Sequence, residues 1–409
     1  MKIDINEIKL VQKGVKDGLT IGGMNYIVVA VYGEPKPHIL EWANHHGFEV
    51  AKVGPYTNIA VHKNLDEVFT KVPTSFDFMD GFSPNLNKHL HIGHASNLVL
   101  AKAFQALGVA KDTIAIFGDT LDGEVNKEEA LSNFWHYCKE FNYRLDAANV
   151  YMASEMKLNE QYPAEHLGDG EGEYAGTKVF DVFGTKVVGI KSDGSTTYFY
   201  QDVCLFQHFS EQTTKILYLT GSEQTGHFAT LKKLFPGVHH IGLGLVKAGG
   251  VKMASRKGNV IMFDEVLNIL LEQFNADMSL CYNVLAGFIL RSAPKSDKNI
   301  DLDTLSNPLN SPGLYLSYTL AKLKSAGVVP DGRTQFNCLR LQFLERKAIQ
   351  HLTPNVLFDG LVEHASNISQ LYQHMRIKDN PLAQKIFEDY GSDLLCGMKK
   401  LGMFDVERV

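Results

Sequence analysis

The chain has 409 residues, of which 44% are hydrophobic and 21% charged, and its formal net charge is −6. This is the balance of a globular protein of two or three domains. It excludes a membrane-spanning chain, because no run approaches the ~18 consecutive apolar residues a span requires, and it excludes a surface that is basic throughout, although a local basic patch is compatible with it.

Residues 1–10 mix charged and apolar side chains and lack the apolar run of an export signal, so a cytoplasmic protein is expected. Residues 1–74 read as a small α/β domain: strands at 26–32 and 57–61, helices at 37–46 and 65–69, and Pro73 at the boundary. From 76 to about 303 strands and helices alternate, which predicts a parallel sheet covered on both faces. The strands fall at 76–79, 112–117, 216–220 and 238–245, with helices at 94–107 and 227–235. A stretch of about 124–191 interrupts this rhythm with a helix (127–141), a glycine-rich loop (168–176) and a hairpin turning at Phe183-Gly184-Thr185. Past residue 307 the strands stop. Helical apolar spacing recurs over 314–324, 336–351, 357–375 and 382–401, as in a helical bundle. The expected division is 1–74, 75–306 and 307–409.

Neither GxGxxG nor a Walker phosphate loop occurs, which argues against a dinucleotide-dependent dehydrogenase and a P-loop NTPase. The five cysteines contain no Cys-x-x-Cys pair. The doublets His45-His46 and His239-His240 have no ligand-spaced partners, so no protein-built metal site is expected.

Two segments carry nucleotide chemistry. The first, Ser83-Pro84-Asn85-Leu86-Asn87-Lys88-His89-Leu90-His91-Ile92-Gly93-His94, runs from a predicted strand into a predicted helix. A helix start offers free backbone N–H groups to a phosphate. His91 and His94, three apart, lie on one side of the turn and can donate to phosphate oxygens as charge develops. Gly93 lets a flat base approach the backbone. The second is Lys252-Met253-Ala254-Ser255-Arg256-Lys257-Gly258-Asn259, a basic loop able to close over a triphosphate and neutralise a leaving pyrophosphate. Alone, the histidines read equally well as structural, and the basic segment reads better as an exposed loop; together, in this order around an α/β core, they point to one site.

These segments resemble the HIGH and KMSKS signatures of class I aminoacyl-tRNA synthetases, and their wider context resembles the arginyl branch. In that branch the second KMSKS lysine is often missing, and a lysine three residues before the first signature histidine takes its place. Here Ser255 stands at the KMSKS position and Lys88 at the compensating one. The resemblance extends over about 76–409, including a junction through Asp301-Leu302-Asp303 and Tyr315 to Lys322 that is similar to the entry into the family's helical anticodon-binding domain. It implies a Rossmann-like catalytic core that activates arginine with ATP, with Mg²⁺ as the neutralising ion, and loads it onto tRNA.

Arginine carries a planar cation, which a selective pocket meets with a carboxylate and directed acceptors. The segment Asp193 to Asp202 resembles the family's Asp-Gly-x-x-x-Tyr-x-x-x-Asp; Tyr198 and Asp202, four apart, share a helical face. Gly221-Ser222-Glu223-Gln224 resembles its Gly-x-(Asp/Glu)-Gln segment and follows a strand, where ligands gather in open α/β sheets. The resemblance thus assigns Lys88, His91, His94, Lys252, Arg256 and Lys257 to catalysis. It assigns Gly93, Gly221, Glu223, Met253 and Ser255 to ATP, and Asp80, Asn85, Tyr198, Asp202 and Gln224 to arginine. His227 reads either as a helix-start residue or as a further ligand contact.

The chain also departs from the pattern. Only 74 residues precede the core, where the family usually has over ~100. Residues 1–75 hold eight lysines against eight acidic groups, although phosphate-tracking surfaces normally concentrate positive charge. Ser96 stands where the family has arginine, and Thr120 replaces its tryptophan after Gly118-Asp119. The leading expectation is a monomeric arginine–tRNA ligase with no membrane partner. The alternatives are an arginine-adenylating paralogue with a different acceptor and a silent RNA-binding paralogue.

Overall fold

In this computed structural model all residues are described except 11–25, 71–75, 87, 119–125, 159–166, 210–213, 249–250, 253–260, 301–310 and 408. The N-terminal segment builds β1 (Lys9–Leu10), β2 (Ile27–Tyr32), helix α1 (Pro37–His46), β3 (Glu49–Val53), β4 (Tyr56–Val61) and the short α2 (Leu65–Val68). Its strands pair antiparallel in the order β1-β2-β4-β3. Helix α1 opens on a proline and closes on Gly47 in the left-handed region, φ 70°, the usual start and stop. Strand β3 is absent from the sequence-based expectation: all five of its residues are exposed, so no burial period marks it.

The core follows as β5 (Phe76–Asp80), α3 (Ile92–Ala106), β6 (Ala110–Phe117), α4 (Lys127–Glu140), β7 (Val150–Met152), β8 (Leu167–Asp169), β9 (Lys178–Val182), β10 (Thr185–Ile190), α5 (Tyr198–His208), β11 (Ile216–Gly221), α6 (Thr225–Leu234) and β12 (Val238–Leu243). Then come β13 (Val246–Ala248), β14 (Val251–Lys252), α7 (Phe263–Gln273), α8 (Met278–Leu290) and β15 (Lys298–Ile300). Five strands form a parallel sheet in the order β12-β11-β5-β6-β7. The fold is mixed α/β with the Rossmann-like sheet the alternating pattern predicts. Strand β11 reads as a continuous apolar run because its first four residues are buried, as in sheets covered on both faces. Strand β7 lies inside the stretch that looked like an interruption, yet it supplies the fifth strand of the sheet. The predicted hairpin is β9–β10, turning on Phe183 (φ 48°) and Gly184 (φ 82°).

Because β5 is followed by β6 on one side and flanked by β11 on the other, the chain direction of winding reverses beside β5. Open α/β sheets bind ligands at the carboxyl ends of strands at such a switch.

The C-terminal segment is helical: α9 (Pro312–Ser325), α10 (Leu339–His351), α11 (Pro354–His374) and α12 (Pro381–Lys400). By contact density the chain divides into two compact units. One comprises 74–285 and 294–308; the other joins 1–73 with 286–293 and 309–409. Within the latter, Leu339 and Phe343 of α10 belong to the same buried cluster as Trp42, Val68 and Phe69. Arg346 pairs with Asp66, and Lys347 Nζ donates to the Ile5 carbonyl at 2.8 Å. No helix among the described residues is long and apolar enough to cross a membrane.

Candidate active site

A cavity of about 670 Å³ opens at the carboxyl ends of β5, β6 and β11. Of the residues named from the sequence it brings together Asp80, Asn85, His91, Gly93, His94, Tyr198, Asp202, Gly221, Glu223 and Gln224. They come from the end of β5, the loop into α3, the first turns of α5 and the β11–α6 junction. Lys88 is exposed and is not among the lining residues; its charge nevertheless reaches the imidazoles of His91 and His94 and lowers the pKa of both.

The two signature histidines cap their own helix. Gly93 N–H donates to His91 Nδ1 at 3.1 Å, and His91 N–H donates to His94 Nδ1 at 3.1 Å. The rings stack with centroids 3.9 Å apart. Burial, His91 and Lys88 together push His94 down to about 3, and burial followed by Lys88 lowers His91. Both imidazoles are therefore neutral near pH 7. An acceptor role at Nδ1 puts the single proton of each ring on Nε2, so each offers one Nε2–H to a ligand.

This arrangement revises one expectation. The first-turn amides are not free: Ile92 N–H donates to the Ile261 carbonyl, and His94 and Ala95 N–H donate to the His91 carbonyl. The donors left at the start of α3 are thus imidazoles rather than open backbone. Gly93 also has a nearer reason than base approach, since a Cβ there would fall 2.8 Å from the His91 ring.

The acidic side of the cavity holds two carboxylates. Asp80, 7% exposed, accepts from the Ser83 hydroxyl. Burial above all raises its carboxyl to about 7; the Ser83 bond opposes that rise and the charge of Asp202 adds to it. Asp202 is likewise raised by burial, against the pull of His227, whose Nε2 lies 2.6 Å from Asp202 Oδ2. Tyr198 and Asp202 do share one face of α5, and Asn85 Nδ2 donates to the Tyr198 hydroxyl at 3.3 Å. Asn85 is held in turn by Gly118 after β6: Leu86 N–H donates to the Gly118 carbonyl at 3.0 Å, and a Cβ at Gly118 would meet Asn85 Oδ1 at 2.1 Å. Gly221 is similarly closed by the Glu223 carboxylate, 2.2 Å from where a Cβ would sit.

Among the lining residues given no role from the sequence are Gly118, Gln201 and Tyr218. Gly118 is a bare strand-end glycine, and its position after β6 was the signal available. Gln201 is buried one place before Asp202, and its Nε2 donates to Thr196 Oγ1 at 3.2 Å. Tyr218 looks like one more apolar residue of β11, yet its buried hydroxyl has no hydrogen-bond partner among the described residues.

Of the second signature, Met253, Ser255, Arg256 and Lys257 lie outside the described residues, and Lys252 is described only as the end of β14. The segments on either side are in view. Val246 of β13 lines the cavity. Beyond residue 260, Met262 bridges antiparallel to His91, and Phe263 N–H donates to the Leu90 carbonyl at 3.0 Å. The chain that follows residue 260 is thus stitched to the histidine signature.

No family model matches the sequence. The chain is similar to the arginine–tRNA ligase of Lactobacillus johnsonii, 25% identical across 81% of each protein. It is 28% identical to that of Enterococcus faecalis over 48% of this chain and 42% of that protein, so that match spans less than half of the relative. Among solved structures, the Thermus thermophilus arginyl-tRNA synthetase superimposes with a TM-score of 0.63 over 98% of this chain and 96% of its own, at 16% identity. The Plasmodium falciparum enzyme gives 0.59 over 88% and 86%. At these identities the superpositions speak for the fold.

Proposed function

We propose that this chain, a member of the arginyl-tRNA synthetase family by its sequence relatives and its fold, activates arginine with ATP and transfers it to the 3′ end of tRNA. The observation that carries the reading is one cavity holding two kinds of chemistry: paired Nε2–H donors at the start of α3 and two carboxylates on its acidic side. A triphosphate suits the first and a ligand with two positive groups suits the second. Arginine has an α-ammonium and a guanidinium, the latter all donors and no acceptor.

In this reading Asp202 and Tyr198 meet the guanidinium, with Gln224 beside them, and Asp80 and Asn85 hold the α-ammonium and carboxylate ends. The arginine carboxylate oxygen attacks the α-phosphorus of ATP, forming the arginyl-adenylate bond as the bond to pyrophosphate breaks. His91 and His94 donate to the phosphate oxygens as charge develops; Lys88, Lys252, Arg256 and Lys257 neutralise the phosphates and the departing pyrophosphate. Gly93, Gly221, Glu223, Met253 and Ser255 border the nucleotide. The tRNA ribose hydroxyl then attacks the adenylate carbonyl and AMP leaves. No side chain acts as a covalent nucleophile; positioning and electrostatics account for the rate. Mg²⁺ enters as part of the MgATP substrate, a role that needs few protein ligands because phosphates and water supply most of its shell.

We further propose that 75–306 carries activation while 1–74 and 307–409 meet the RNA, and that the enzyme works as a cytoplasmic monomer without a membrane partner. Arginine-dependent ATP–pyrophosphate exchange, with and without total tRNA, tests activation; acid-precipitable, nuclease-sensitive label from arginine tests transfer. Exchange without charging would replace tRNA by another acceptor, and absence of both would leave a silent paralogue.

A further inference from the structure

We infer that His227 is a positioning residue of the cation pocket: it holds one oxygen of Asp202 so that the other faces the bound cation. The inference rests on the arginine reading above and adds a residue to it. His227 sits in the first turn of α6, 25 positions from Asp202 on α5, and its Nε2 lies 2.6 Å from Oδ2. The pair is largely shielded, with side chains 22% and 13% exposed. The imidazole is held edge-on against two rings, Phe199 at 5.5 Å and Phe228 at 4.8 Å between centroids. Its plane is therefore set by packing rather than by the bond alone. Asp202 Oδ1 accepts nothing among the described residues, and Asp202 lines the cavity.

A carboxylate that must bind a cation has to be ionised before the cation arrives. Burial works against that here, and the charge of Asp202 in turn raises the second carboxyl, Asp80 on β5. Other ionisable groups around the pair are Tyr218 on β11, Cys204 on α5 and His240 on β12. Cys204 and Tyr218 are themselves driven towards their neutral forms by burial, and His240 is lowered. The N–H of His227 is the hydrogen-bond donor that Asp202 finds among the described residues. It favours the ionised form while leaving one oxygen for the guanidinium, which supports both the aim and the pH window of the pocket. A group serving only to tie α5 to α6 would influence neither.

The test compares the full-length wild type with His227→Gln and His227→Ala. Arginine-dependent exchange in the presence of tRNA is measured from pH 5.5 to 8.5. His227→Ala is expected to raise the KM for arginine about tenfold or more, as for loss of a hydrogen bond to a charged group. The KM for ATP should stay within about twofold, and the acid limb of the arginine profile should move to higher pH by about one unit. His227→Gln, which keeps an N–H donor, should recover most of the affinity. Identical acid limbs in all three proteins, or equal losses for arginine and ATP, overturn the inference. If the wild type shows no arginine-dependent exchange, the activity reading falls separately. The pairing is then decided by the imidazole ¹⁵N resonances of His227: a change on Asp202→Asn supports it, and unchanged resonances overturn it.

Discussion

Asp80→Asn should make the unit of 74–285 and 294–308 more stable at neutral pH and leave it nearly unchanged in acid. Asp80 ends β5 with 7% of its surface exposed, and its carboxyl is raised from the ordinary 3.8 to about 7. A carboxyl that holds its proton more tightly when folded weakens the fold as it ionises. The penalty is absent below about pH 4, grows between pH 4 and 7, and is complete above 7. At ~1.4 kcal/mol per pH unit, a gap of about three units sets an upper limit of about 4 kcal/mol. Relaxation around the site and the charge coupling to Asp202 bring the expected effect to about 2–4 kcal/mol. Asparagine has the same shape, can still accept from Ser83, and does not ionise. Urea unfolding from pH 4.5 to 8, followed by fluorescence in a Trp42→Phe background, reports this unit through Trp135 on α4. The gap between variant and parent should open up to about pH 7 and level off above it. Parallel stability curves, or a parent that gains stability towards pH 8 relative to the variant, would refute the reasoning that burial beside Asp202 raises the Asp80 carboxyl.

Asp202→Asn removes the charge proposed to meet the guanidinium; the KM for arginine should rise a hundredfold or more, about 3 kcal/mol, while the KM for ATP changes little. Equal losses for both substrates in exchange kinetics would count against the assignment. Lys88→Ala should slow adenylate formation about a hundredfold, the size of one oxyanion donor, in a single-turnover pyrophosphate-release assay; an unchanged rate would remove Lys88 from the compensating role. Gly118→Ala places a methyl 2.1 Å from Asn85 Oδ1 and should displace Asn85 from Tyr198. A roughly tenfold rise in the KM for arginine is expected, and unaltered kinetics would show that Asn85 does not hold the substrate.

Local patterns made much of the fold legible before any coordinates. Strands β2, β5, β6 and β11 and helices α1, α3 and α9 to α12 announce themselves because a period of burial or an apolar run repeats within each segment. Strand β3 does not, because none of its residues is buried. Strand β7 is hidden too: three half-buried residues are too few to carry a pattern. The joining of 1–73 with the C-terminal helices was likewise invisible, since it depends on Phe69 meeting Phe343, rings 274 positions apart and 6.2 Å between centroids.

For the candidate site, the order and spacing of residues determined that His91 and His94 share one turn and that Tyr198 and Asp202 share one helical face. Both are consequences of helix geometry over three or four positions. Tertiary structure alone decided which atoms are left over for chemistry. It consumed the first-turn amides of α3, turned the Nε2 hydrogens of both imidazoles into the available donors, and set His227 against Asp202. It also buried two carboxylates in one cavity, raising both. Spacing along a chain specifies neighbours within a turn, whereas desolvation and hydrogen-bond competition depend on every segment that folds against the site.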